Sequence, residues 1–447
     1  MKEEKLTGIV EGLENQLVFC SDGYDFSFLT CRFLDKDEYI TLHPENGIIY
    51  ATTHTGRKVA IFSGDRDFKV KGITTLKTDL YISSGKFGVH ADIKNYRSIC
   101  LIGGALNQLH PTVTFFDSED DSNKISIERK QEKVKYHFDN DKTPFDLTIG
   151  YSQSGSANKN NYSFTNDVSI TLTFESNQPV ASFPVHYYYL KLLVSLLTGQ
   201  SENHFDDIIL IPSEDTIGWE FNTLDVHSLN NENAEMSEKM GIPLQLLGEK
   251  IIPLLTLFYT SKENKPSYSL GFIPQNNKER WRVSSDRIKS ICAALECEAN
   301  FDKYTPLPIQ KMLLNELAEK ARTIVEESKK KFEKTPILSE RTYNLIYGSI
   351  NHWTISAFDK FSYLYHKYKK SLEKMPVHWD FEVTDDDIQA FIKYRNNIAH
   401  GNLGRITERI ATTALIMEAL VYCCLFHRIG VSDENIDNIC VMYLGRE

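Results

Sequence analysis

The tightest constraint on this chain is a change of hydrophobic period. From Leu6 to Phe174 the apolar residues fall in short alternating or β-branched runs, among them QLVFC, FSFLTCRF, EYITL, GIIYA, RKVAIF, TVTFF, KISIE, KVKYHF and VSITLTF. From Ile309 onward they recur at helical spacing instead. A period of two puts alternate side chains on one face of a sheet, and a period near 3.6 puts them on one stripe of a helix, so each part buries its apolar residues in only one of the two structures. The expected fold class is therefore α+β and multidomain. It comprises an N-terminal antiparallel, sandwich-like β-rich region (1–175), a mixed α/β connector (176–304) and a C-terminal all-α bundle (305–447), the last join marked by TPLP at 305 to 308.

Within the β-rich part GDRD, SEDDS and DNDK read as turns, the polar stretch Ser152 to Tyr162 reads as a mobile loop, and Gly103 and Gly104 read as turn material. LIGGALNQLHPTV lacks the strand, glycine fingerprint and helix of a phosphate-binding loop. Ser182 is placed to cap a helix with Pro184 in its first turn and Gly199 past its end. Its expected packing face is Val185, Tyr189, Leu192, Leu193 and Leu196, with His186 and the tyrosines at 187 to 189 as core. In the helical part Ile309, Leu313, Leu317, Ile324 and Phe332 share one side of a first helix. A second, long helix is expected from Thr335 and Pro336 through Lys370, with Ile350, Trp353, Ala357, Phe358, Phe361, Leu364 and Tyr368 as its apolar stripe. The motif helix described next is the third, and Arg405 to Ile429 is the fourth.

TDDDIQAFIKYRNNIAHG, from Thr384 to Gly401, has both ends signalled. Thr384 and Asp387 fit a capping box, acidic residues crowd the positive end of the dipole, and Gly401 suits a left-handed exit. Ile388, Phe391, Ile392, Ile398 and Ala399 share one arc, with Arg395 near its centre. A guanidinium on an apolar arc requires a carboxylate, a carbonyl or a phosphate, within the bundle or across a subunit interface. Asn396 and His400 stand four residues apart, within reach of each other.

Charge narrows the function classes. The 447 residues carry a net charge of −11, which argues against nonspecific nucleic-acid binding over the whole surface. Thr305 to Lys374 holds 13 Lys and Arg against 8 Asp and Glu, so +5 lies beside the motif helix and −16 elsewhere. Eight scattered cysteines without C-x2-C pairs point to reduced thiols, with no zinc site and no disulfide framework. The opening MKEEKLTG has no apolar targeting core, and the greasiest stretches, Ile251 to Tyr259 and Ala414 to Phe426, are short or interrupted, so the expected location is cytoplasmic with no membrane partner. No cofactor or metal is expected.

Arg395, Asn396 and His400 match the R-N-x3-H form of the R-x4-6-H motif of HEPN domains, small helical bundles that are commonly metal-independent ribonucleases. With its long β-rich region ahead of the helical domain and FLDKDEYITLHPENGIIYATTHTG near the N-terminus, the chain resembles the ApeA-type HEPN proteins of anti-phage abortive infection. The resemblance implies an RNA endonuclease that pairs as a homodimer through the HEPN domain. It also implies transfer RNA as the target and a phage-derived trigger sensed by the β-rich region. Asn402 stands where HEPN toxins paired with nucleotidyltransferase antitoxins often carry tyrosine, which departs from that mode of control. Arg395, Asn396 and His400 suit the chemistry: histidine moves protons near neutrality, a guanidinium grips phosphate oxygens, and the amide fixes a ring or a phosphate. The other reading of the same residues is a non-catalytic HEPN-fold interaction or sensor protein, with Arg395 paired to a core carboxylate and His400 at a helix C-terminus.

Overall fold

Alternation along the first half becomes hydrogen-bonded register in the computed structural model. The structure describes residues 5–14, 16–85, 92–109, 115–118, 125–128, 133–139, 143–158, 161–212, 223–234, 241–259, 270–302, 308–331, 336–351, 356–376, 381–399, 401 and 404–444. The chain forms two units, one of Met1–Ser267 with Ile273–Trp281, the other of Tyr268–Phe272 with Arg282–Glu447.

The first unit carries strands β1 (Thr7–Val10), β2 (Leu17–Asp22), β3 (Asp25–Thr30), β4 (Ile40–Leu42), β5 (Ile48–Thr53), β6 (Lys58–Phe62), β7 (Phe68–Val70), β8 (Ile73–Lys77) and β9 (Leu80–Ser84). They are followed by β10 (Asn95–Ile102), β11 (Phe115–Ser118), β12 (Ile125–Glu128), β13 (Val134–Phe138), β14 (Phe145–Asn158), β15 (Asn161–Pro179), β16 (Asp207–Ile211) and β17 (Leu224–Ser228). Every apolar run quoted from the sequence overlaps one of these strands. Thirteen of them form one antiparallel sheet in the order β13-β14-β15-β10-β16-β17-β9-β6-β5-β1-β2-β3-β8. The expected sandwich is thus a single continuous sheet with two small ribbons, β4 with β7 and β11 with β12. The first ribbon adds Ile40, Leu42 and Val70 to a core with Leu17, Phe19, Phe26, Phe28, Val59 and Ile61. Strands β16 and β17 sit in the middle of the sheet, so what the sequence presents as a connector completes the β unit.

Ser152–Asn158 and Asn161–Tyr162 are strand, not loop: β14 and β15 stay paired from Tyr151 opposite Val168 out to Asn158 opposite Asn161. Backbone pairing needs no apolar face, so composition alone misreads such a ribbon. Gly103 and Gly104 do make a turn, at φ +66° and +56°, and a Cβ on Gly104 would run into the His204 carbonyl.

Helix α1 (Phe183–Thr198) ends at Gly199 in the left-handed region, as expected, but Ser182 does not cap it. Val180–Ser182 is already a 3-10 turn, and the Ser182 hydroxyl donates to the Pro179 carbonyl at 2.8 Å. The buried face of α1 runs through Phe183, His186, Tyr187, Leu190, Leu193, Val194 and Leu197, while Val185 and Tyr188 are exposed. Short helices α2 (Leu229–Glu232) and α3 (Leu244–Leu247) and the longer α4 (Ile251–Tyr259) finish this unit.

The second unit holds α5 (Ser285–Phe301), α6 (Pro308–Lys331), α7 (Pro336–Asn351), α8 (Ala357–Leu372), α9 (Asp385–Ala399), α10 (Glu408–Arg428) and α11 (Asp433–Met442). Helix α10 is its axis, with Ala414, Ile416, Met417, Leu420, Val421 and Phe426 buried against α5, α8, α9 and α11. The boundary expected at 305 therefore falls too late, because α5 belongs to the bundle. Two-pronged ion pairs fix it there: Arg287 to Glu418 at 2.6 and 2.9 Å, and Arg428 to Glu298 at 2.8 and 3.1 Å. The expected long second helix is two, since Ser356 starts α8 with a capping box to Asp359. Phe361, Leu364 and Tyr368 of its stripe are buried, whereas Trp353 lies outside the described residues. The expected core face of α6 is not core. Leu313, Leu317 and Ile324 are 57%, 47% and 63% exposed, and α6 packs on α7, clamped by the Tyr347 hydroxyl donating to Glu326.

Among the described residues two helices are long and apolar enough to cross a membrane by length and composition, Val180–Thr198 at mean hydropathy 1.2 and Glu408–Arg428 at 1.7. Both are core helices of their units, 56% and 67% buried.

Candidate active site

The motif helix forms as its end signals require. Asp387 accepts from the Thr384 backbone N–H at 2.9 Å and from the Thr384 hydroxyl at 2.7 Å, while Thr384 Oγ1 accepts from the Asp387 N–H at 3.4 Å. The same carboxylate takes Arg409 of α10 with both oxygens, one contact at 2.7 Å. Burial would raise the Asp387 carboxyl, but the Arg409 guanidinium and Thr384 outweigh it and hold it down to about 2. Of the three acids at the head of α9, Asp387 is thus a cap and an anchor to α10, while Asp385 accepts from the Ser362 hydroxyl of α8 at 2.8 Å.

The arc that α9 buries is rotated from the expected one. Asp387, Ile388, Phe391, Tyr394 and Ile398 are buried, Ile392 is only half-buried and Ala399 is exposed. Tyr394 supplies what those two do not: its hydroxyl donates to the Gly404 carbonyl at 3.0 Å and lies 3.3 Å from Ser285 Oγ, tying the segment after the motif to α9 and α5. Arg395 consequently sits toward one edge of the arc. Its guanidinium reaches Glu296 of α5 and stays a third exposed instead of ending inside the bundle.

Arg395 Nη2 lies 3.4 Å from Glu296 Oε1, and Nη1 donates to Asn396 Oδ1 at 3.1 Å. Both members of the ion pair are about a third exposed, 34% for Arg395 and 39% for Glu296. Such a solvated, single-pronged pair is worth about 0–1 kcal/mol. Burial pushes the Cys292 thiol up to about 12, with Arg395 opposing the rise and Glu296 adding to it. A thiol so placed is no nucleophile at neutral pH. Asn396 is exposed and its Oδ1 accepts from the guanidinium. His400 lies outside the described residues, as does Asn402.

Of the three site residues read from the sequence, the structure brings Arg395 and Asn396 together. It adds Glu296, from the stretch that the sequence presents as a connector. Nothing local in the sequence points to Glu296, because it stands 99 residues from its partner and its helix looks like any capped amphipathic segment.

Among the described residues, five of the 13 basic side chains in the segment ahead of the motif are ion-paired. Lys367 pairs with Asp302 at 2.6 Å, Lys369 with Glu382 and Glu373, Lys374 with Asp437, Lys320 with Glu316 and Arg322 with Glu319. Among the described residues no three His, Cys, Asp or Glu side chains are grouped to hold a metal ion. No family model, curated protein or solved structure matches this chain.

Proposed function

We propose that the chain is a metal-independent RNA endonuclease in which Arg395, Asn396 and His400 act on the scissile phosphate. The observation that supports this most is the placement of Arg395. It is neither locked in a buried ion pair nor loose in water, but held at the end of α9 by Asn396 and one weak carboxylate contact. In the proposed reaction a proton acceptor takes the 2′-hydroxyl proton, and the 2′-oxygen attacks the adjacent phosphorus. The bond to the 5′-oxygen breaks, and that oxygen is protonated, leaving a 2′,3′-cyclic phosphate and a 5′-hydroxyl. His400 is assigned to proton transfer on the sequence motif, and Arg395 to the charge that builds on the non-bridging oxygens. In-line cleavage wants both an acid and a base, so the proposed working unit is a homodimer in which the two-fold supplies a second His400. The biological reading carried by the ApeA resemblance is defence by abortive infection through transfer-RNA cleavage.

The test is toxicity on overexpression together with sequencing of RNA ends. Wild type is expected to arrest growth and generate new 5′-hydroxyl ends, and Arg395→Ala and His400→Ala to do neither. Growth arrest that persists unchanged in both variants would sink the assignment.

A second reading, a non-catalytic module that assembles with a partner, is favoured by the apolar side chains that α6 and α7 leave in solvent. It predicts no RNA cleavage by the wild type at any concentration.

A further inference from the structure

Among the described residues four arginines of the helical unit meet carboxylates on a neighbouring helix, and they do so in two ways. Arg287, Arg409 and Arg428 each approach with two nitrogens, toward carboxylates that are 15%, 5% and 1% exposed. Those pairs are built to stay. Arg395 meets Glu296 with one nitrogen at 3.4 Å and both side chains open to water, while Asn396 independently steadies the other end of the fork. Glu296 Oε1 is therefore a contact that Arg395 can give up without losing its orientation.

A carboxylate oxygen and a phosphate oxygen present the same charge to a guanidinium at similar hydrogen-bond geometry, so they compete for the same N–H groups. Any RNA phosphate that reaches Arg395 must meet it beside, or instead of, Glu296. We propose that Glu296 is a resident competitor for the phosphate: it occupies the Arg395 guanidinium in the RNA-free protein and is displaced when an RNA phosphate binds. The proposal rests on the reading of Arg395 as a phosphate-binding group. It assigns to Glu296 a brake on affinity: each RNA must break the pair and enter past an uncompensated carboxylate, which disfavours weakly held strands.

The experiment measures binding of a 2′-O-methyl oligoribonucleotide, which lacks the attacking hydroxyl and is not cut, to the full-length protein by fluorescence anisotropy at low salt. Glu296→Gln keeps the shape and removes the charge. It is expected to tighten binding by about 5-fold, the change that loss of one surface charge contact produces. In Arg395→Gln/Glu296→Gln that gain should vanish, and the unfolding midpoint of Glu296→Gln should match wild type. If wild type binds and Arg395→Gln weakens binding, but Glu296→Gln binds equally or more weakly, the competitor role is overturned and the reading of Arg395 stands. If Glu296→Gln loses the wild-type unfolding midpoint, Glu296 is a structural partner and the proposal falls. If wild type and Arg395→Gln bind the oligonucleotide identically, the phosphate-binding reading itself is overturned, and the proposal with it.

Discussion

Arg395→Ala is expected to lower RNA cleavage by at least about 100-fold, the loss typical of a donor aimed at developing charge. It should leave the unfolding midpoint within a few degrees of wild type, because the Glu296 pair it breaks is solvated and weak. Activity assay and calorimetry on one preparation check both halves. His186 behaves oppositely, serving the core and not the site. It is buried against Phe174, ring centroids 4.7 Å apart, and burial pushes its imidazole down to about 4. The unfolded chain binds a proton near pH 6.5 while the folded chain resists to about 4, so the stability held above pH 6.5 falls as pH drops through that window. The full loss is about 3 kcal/mol. Urea unfolding at pH 7 and pH 5 should show part of that loss in wild type and much less in His186→Phe. His186 was legible as core from the apolar residues around it. The Arg395 and Glu296 pairing was not, because periodicity reports which face a residue takes and never which distant element it meets.

Elements were legible where one residue type had one reason to be there. Half-buried strands alternate, so β2 and β3 could be read directly, with Leu17 and Phe19 buried in the one and Phe26 and Phe28 in the other. The division between α7 and α8 is hidden in the sequence although Ser356 and Asp359 carry the capping-box spacing, because Ile350, Phe361 and Tyr368 continue one stripe across it. Ser356→Ala removes a side-chain cap that accepts from the Asp359 N–H at 3.1 Å and should cost about 1 kcal/mol by denaturant unfolding. At the turn out of β10 the tolerance is smaller. Gly104→Ala would place a Cβ against the His204 carbonyl at φ +56°, and is expected to destabilise the β unit by several kcal/mol, visible as a lowered urea midpoint.

For the whole molecule the decisive matter is where the helical unit begins. Sequence composition shifts at the prolines near 305, but membership of a core is set by contacts, and α5 brings Arg287, Glu296 and Glu298 into the bundle. A fragment of residues 305–447 is thus expected to be insoluble or molten, with near-ultraviolet dichroism lost. One from Tyr268 to Glu447 also recovers Phe272, whose carbonyl accepts from Arg287 Nε at 3.1 Å and whose ring packs edge-on to Tyr422. That longer fragment should unfold cooperatively. The sheet has a comparable consequence for biosynthesis. β9 pairs with β6 on one side and with β17 on the other, so a nascent chain that has already threaded β1 to β9 out of the ribosome holds one strand edge unpaired until residues 224–228 emerge. At roughly 5–20 residues per second that is about 7–30 s of exposure for a strand edge that templates wrong pairings. Codon choice and chaperone occupancy between β9 and β17, more than the stability of the finished fold, should govern how much of this protein a cell recovers intact.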